Sequence, residues 1–243
     1  MQPAVQRWRN VLVATALALL GAACSVTGPP KDNMAISYLA LGDSYTIGEG
    51  VPDARRWPVQ LATALRREGV ALVDPRIIAA TGWTTDELSA AIDATEPLGS
   101  FDFVSLLIGV NNQYRGRSVT EYRDQFTALL ERTIGFAGGR ADRVLVLSIP
   151  DWGVTPYAAA QYAQQRGRDA AQIAGEIDAY NAVAQAACAE RGVAFVDITA
   201  VSRARGAETS MLVDDGLHPS AVMYAQWAAL ALPVARMRLT SGR

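Results

Sequence analysis

From residue 36 onward, short runs of continuously apolar residues alternate with longer stretches in which apolar side chains recur every three or four positions. The apolar runs are ISYLALGD (36–43), ALVDPRIIAA (71–80), FDFVSLLIG (101–109), RVLVLSIP (143–150) and VAFVDIT (193–199). Each has the length of a strand, and a continuously apolar strand is one covered on both faces. Helical patterns fall near 55–68, 84–95, 119–137, 168–191 and 219–237. This alternation predicts an α/β fold in which helices cover both faces of a parallel sheet of about five strands. Asp74 and Pro75 interrupt the second run, which is read as an edge strand because proline supplies no N–H to a ladder.

The chain contains no internal repeat, and nothing after residue 35 divides it, so residues 35–243 are read as one domain. The N-terminus follows a different pattern. Arg7 and Arg9 precede Val11–Ala23, an apolar run of about 13 residues, shorter than the roughly 20 needed to span a bilayer. Residues 1–23 are therefore expected to be a signal peptide, and the protein to leave the cytoplasm. The run ends at Cys24, and Leu-Leu-Gly-Ala-Ala-Cys resembles a bacterial lipoprotein signal, which implies lipidation of Cys24 and attachment to the cell envelope. Gly21 stands where that pattern prefers a leucine-like residue; ordinary cleavage after Ala23 is the alternative. Residues 24–34, with Gly28, Pro29 and Pro30, read as a tether.

Composition narrows the function classes. Half of the residues are hydrophobic, and 22 basic against 24 acidic side chains leave a net charge of −2. A disordered chain would need the opposite balance. No Lys/Arg run exceeds two residues, so nucleic acid, which is held by concentrated basic charge, is not an expected partner. Two cysteines, Cys24 and Cys188, make neither a disulfide framework nor a CxxC zinc site. Cys188 lies in an apolar stretch and reads as a buried, inert thiol.

In an open parallel sheet, reactive groups collect beyond the carboxyl ends of the strands. There the sequence places Gly42-Asp43-Ser44, Thr81-Gly82, Gly109-Val110-Asn111-Asn112, Pro150-Asp151-Trp152-Gly153 and a loop reaching Asp215-Gly216-Leu217-His218. His218 is the only histidine, hence the one candidate for an imidazole base at neutral pH. Asp215 stands three residues earlier, a spacing that at a helix start puts both side chains on one side of the turn, with Pro219 in the first turn of the helix that follows. Asp214 lacks that spacing. Ser44 at a strand-to-helix turn can expose its hydroxyl beside backbone N–H groups. Gly82 and Asn111 can donate hydrogen bonds to a developing oxyanion. Each motif also has an ordinary structural use: Asp43 and Ser44 as helix caps, Gly82 and Asn111 as turn residues, Asp215–Pro219 as a turn and cap.

Taken together, in this order and each after a predicted strand, Gly42-Asp43-Ser44, Gly82, Gly109-Val110-Asn111 and Asp215-Gly216-Leu217-His218 resemble the SGNH hydrolase superfamily, also called the GDSL esterase/lipase family. The resemblance implies a three-layer α/β/α, flavodoxin-like fold and ester hydrolysis without metal or other cofactor. It makes Ser44 the nucleophile, His218 the base and Asp215 its orienter, with oxyanion donors from Ser44 N–H, Gly82 N–H and the Asn111 side chain. The chain departs from the common pattern at Asn112, where many members carry aspartate.

For the substrate, Tyr45, Asn112, Tyr114 and Trp152 are the candidate contacts. Trp83 and Tyr157 are further loop aromatics, and Arg115 and Arg117 are candidates for meeting a negative group or for simple solvation. Three readings follow: an esterase acting on short acyl or acetyl esters, saccharide esters among them; an acyltransferase with a saccharide acceptor; and a non-catalytic surface binding protein. The oligomeric state is left open.

Overall fold

The computed structural model describes residues 35–162 and 169–241. Five strands, β1 (Tyr38–Gly42), β2 (Arg76–Ala79), β3 (Phe103–Leu107), β4 (Val144–Leu147) and β5 (Ala194–Val196), form one sheet in the order β2-β1-β3-β4-β5. All pairings are parallel. Every residue of β1, β3 and β4 is buried, as expected of strands with no polar alternation. The interrupted run does end at the sheet edge: β2 begins at Arg76, directly after Pro75.

The helices are α1 (Ser44–Ile47), α2 (Trp57–Arg67), α3 (Thr85–Thr95), α4 (Val110–Tyr114), α5 (Val119–Phe136), α6 (Ala170–Arg191), α7 (Thr199–Arg205) and α8 (Ala221–Thr240). The connection from β1 to β2 runs one way across the sheet and the later ones run the other. Right-handed crossovers therefore put α2 on one face and α3, α5 and α6 on the opposite one. Accordingly α2 packs on α8, while α5 packs on α3 and α6. The buried stripe of α2, Trp57, Leu61 and Leu65, recurs every four residues, the period that keeps side chains on one helix face. Trp57 and Trp227 are the largest fully buried side chains. Cys188 on α6 is buried, and that burial pushes its thiol up to about 12, as fits an inert core residue.

Strand register prepares the site. Gly42 pairs with both Ala79 of β2 and Leu107 of β3, so the loops that begin at Asp43, Ala80 and Ile108 leave the sheet side by side. In this strand order, β1/β3 is where the winding reverses and a crevice opens between diverging loops.

Pro219 corrects the sequence expectation. It lies outside α8, in an antiparallel bridge with Leu212, and Ser220 caps the helix by accepting from Val222 and Met223. The expected signal peptide (1–23), the tether (24–34) and Cys24 lie outside the described residues.

Candidate active site

Ser44 opens α1 immediately after β1. The turn needs Gly42, because a Cβ there would collide with Thr46 Oγ1 and the Leu107 carbonyl. Asp43 is the cap: its Oδ1 accepts from Tyr45 N–H at 3.0 Å. With the cap supplied by its neighbour, Ser44 is left to face a cavity of about 210 Å³ that it shares with Gly82, Asn111 and His218.

Asp215 and His218 meet in a tight turn rather than at a helix start. Asp215 Oδ1 accepts the N–H groups of Leu217 (2.8 Å) and His218 (2.9 Å), and Oδ2 lies 2.6 Å from His218 Nδ1. Partial burial pushes the Asp215 carboxyl up; the hydrogen bonds from the His218 ring, the His218 N–H and the Leu217 N–H outweigh it and hold the group below the usual carboxylate range. With Nδ1 committed to the carboxylate, Nε2 is the free ring nitrogen. Ser44 Oγ makes no hydrogen bond among the described residues; such contacts are often long before substrate binds. Asp214, lacking the spacing, lines a neighbouring hollow with Glu49 and Val213.

The donor loops are tied down. Asn111 Nδ2 donates to the Trp83 carbonyl at 2.9 Å, which uses one of its two N–H groups and leaves the other for the cavity. Gly82 has φ +85°, a left-handed conformation that glycine adopts without strain. Its carbonyl accepts from Arg115 Nη2 at 2.7 Å, and Arg115 Nη1 holds Glu87 Oε1 at 2.9 Å. Glu87 in turn closes the capping box of α3 with Thr84. Arg115, its side chain 41% exposed, is thus a strap across the Gly82 loop. Arg117 is likewise engaged, by Asp86 at 2.6 Å and Glu121 at 3.3 Å.

The expected substrate contacts divide. Tyr45, Tyr114 and Trp152 line the cavity, as do Tyr157 and Leu217. Trp152 stands edge-on to Tyr114, with ring centroids 5.5 Å apart, and its Nε1 donates to Gln113 Oε1 at 2.9 Å. Tyr114 and Tyr157 are bonded through their side chains. Asn112 is a correction. It is fully buried, its Oδ1 accepts from Thr85 N–H at 3.0 Å and its Nδ2 donates to Thr85 Oγ1 at 2.7 Å, so it fastens α4 to α3 instead of facing substrate. Thr81, Val110 and Leu217, which the sequence places inside the strand-end motifs without giving them a role, also line the cavity.

A flavodoxin-like sheet with a serine, a histidine–aspartate pair and two donor loops at its switch point defines a three-layer α/β/α protein of the SGNH hydrolase class. The profile of the GDSL-like Lipase/Acylhydrolase family matches residues 40–226, and the chain belongs to that family. It is a hydrolase that acts on ester bonds. Solved structures share the fold at low identity. TesA aligns with a TM-score of 0.63 at 18% identity, over 83% of this chain and 99% of that one. A lipase/acylhydrolase from Enterococcus faecalis gives 0.62 at 19%, over 84% and 95%. Axe2, an acetylxylan esterase from Geobacillus stearothermophilus, gives 0.61 at 17%, over 86% and 97%. No curated protein sequence matches the chain significantly.

Proposed function

We propose that the protein is a serine esterase that hydrolyses short-acyl esters, acetyl esters of saccharides among them, through an acyl-enzyme on Ser44. The observation that carries this reading is the single cavity that holds Ser44, His218, Gly82 and Asn111 between aromatic walls. Ser44 Oγ attacks the acyl carbonyl as His218 Nε2 takes its proton. The Asp215 carboxylate, held ionised by its hydrogen bonds, orients the ring and stabilises the imidazolium. The oxyanion is met by the Ser44 and Gly82 N–H groups and by the free N–H of Asn111. His218 then protonates the departing alcohol, and water repeats the sequence on the acyl-enzyme, releasing the acid and restoring Ser44.

The cavity volume of about 210 Å³ supports short acyl groups. The acetylxylan esterase Axe2, similar in fold, supports a saccharide as the alcohol part. The test is intact-mass spectrometry after fluorophosphonate treatment, with Ser44→Ala alongside and p-nitrophenyl acetate as substrate. One adduct on the parent and none on the variant is expected; a parent without adduct or turnover overturns the proposal. Export belongs to the same reading and is supported by the Val11–Ala23 run. The mass of the mature N-terminus, acylated at Cys24 or cut after Ala23, checks it.

A further inference from the structure

Behind the reactive cavity lies a second one of about 20 Å³, and Tyr45, Trp152 and Leu217 belong to the walls of both. The inner cavity has room for roughly one water-sized group. Its lining also includes Leu212, Met223 and Trp227, all buried. The polar side chains around it are committed elsewhere. Asp151 accepts from Gly153 N–H and pairs with Arg203, Thr155 Oγ1 donates to the Trp152 carbonyl, and Ser202 Oγ donates to the Thr199 carbonyl. What remains is a surface suited to methyl and methylene groups.

The three residues of the shared wall are not equally fixed. Tyr45 is buried edge-on against both Trp227 and His218, with ring centroids 5.8 and 5.9 Å away. Trp152 is buried, anchored by its hydrogen bond to Gln113 and its contact with Tyr114. Leu217 is half-buried, its side chain packed against the edge of the core and its N–H donating to Asp215. That side chain is aliphatic, whereas the other two residues of the shared wall are aromatic. It is the one part of the partition that takes no part in the ring–ring contacts of Tyr45 with His218 and Trp227 and of Trp152 with Tyr114.

We infer that Leu217 sets the upper limit on acyl length: it walls off an apolar extension of the acyl site, and an acyl chain that passes it runs into the cavity bounded by Leu212, Met223 and Trp227. This rests on the serine-esterase reading above. It also gives the substrate a direction, with the acyl tail toward Leu217.

The test compares kcat/KM for p-nitrophenyl acetate, butyrate, hexanoate and octanoate on the parent, Leu217→Val, Leu217→Ala and Leu217→Ala/Met223→Phe. The parent is expected to favour acetate and butyrate. A methylene accommodated in an apolar pocket is worth roughly tenfold or more in kcat/KM. The octanoate-to-acetate ratio should therefore rise by at least about tenfold in Leu217→Ala and rise less in Leu217→Val. It should fall back in the double variant, where the larger aromatic side chain introduced by Met223→Phe refills the cavity. Fluorophosphonate labelling of Ser44 verifies that each variant keeps a working site, and Leu217→Val carries the test if the alanine variant is unstable. A labelled, acetate-active Leu217 variant with an unchanged ratio overturns this inference alone. A parent that neither labels nor turns over any ester overturns the esterase reading and this inference with it.

Discussion

Asp215 Oδ2 lies 2.6 Å from His218 Nδ1, while the other oxygen of the same carboxylate accepts two backbone N–H groups of the turn that carries the histidine. One side chain thus shapes the loop and orients the ring. Asp215→Ala is expected to lower kcat by roughly 10⁴-fold, and Ser44→Ala or His218→Ala by about 10⁶-fold. Steady-state kinetics on p-nitrophenyl acetate read this directly; a loss under tenfold at Ser44 or His218 removes them from the mechanism.

Asn111 keeps one N–H on Trp83, and in the proposed mechanism the other meets the oxyanion. Its replacement by alanine should reduce kcat by roughly 10²- to 10³-fold with a smaller change in KM, because the donor is used fully only when negative charge develops. A rise in KM at constant kcat would instead mark Asn111 as a ground-state contact.

Arg115 holds the Gly82 loop through its carbonyl, so in the proposed mechanism it positions the Gly82 donor. Arg115→Ala is expected to lower kcat by up to roughly 10²-fold, the scale of an ångström-sized misplacement of a reacting or stabilising group. Added guanidinium should restore part of the loss. A destabilised but fully active variant would show that the strap matters only for folding.

Asp43 makes stability depend on pH in an unusual direction. Its carboxyl is buried, Oδ1 caps α1 and Oδ2 has no partner among the described residues. Burial pushes it up to about 7 from its ordinary 3.8, against the lowering effect of the Tyr45 N–H. Between those values the folded state holds a proton that the unfolded chain releases, so this group's contribution to stability falls as pH rises from about 4 to 7 and is level above. The full cost is on the order of 4 kcal/mol at most. Asp43→Asn keeps an oxygen to cap α1 and removes the titration. Urea unfolding of both proteins at pH 5 and pH 8 should show the asparagine variant gaining on the parent at pH 8; an equal difference at the two pH values contradicts the prediction.

Much of this protein is legible along the chain because its information is local. Continuous apolar runs specify strands buried on both faces, and spacings of three and four specify the helix faces that cover them, so the α/β class and the five strands follow from residue type and period alone. Pro75 identifies an edge strand because it lacks an N–H. The candidate reactive residues are legible for a similar reason: a lone histidine three residues from an aspartate, and a serine after a strand, advertise their chemistry without reference to the rest of the chain.

What tertiary structure alone decides is which side chains meet across long separations. Register sets Gly42 level with Ala79 and Leu107, and that levelling, invisible in any one segment, brings Ser44, Gly82 and Asn111 into one cavity. Arg115 reaches back 33 residues to Gly82, Asn112 reaches back 27 to Thr85, and Leu217 partitions two cavities. In the sequence an arginine and an asparagine beside a motif look like surface or substrate contacts, because residue type states what a side chain can bond to and only the packed chain determines what is within reach.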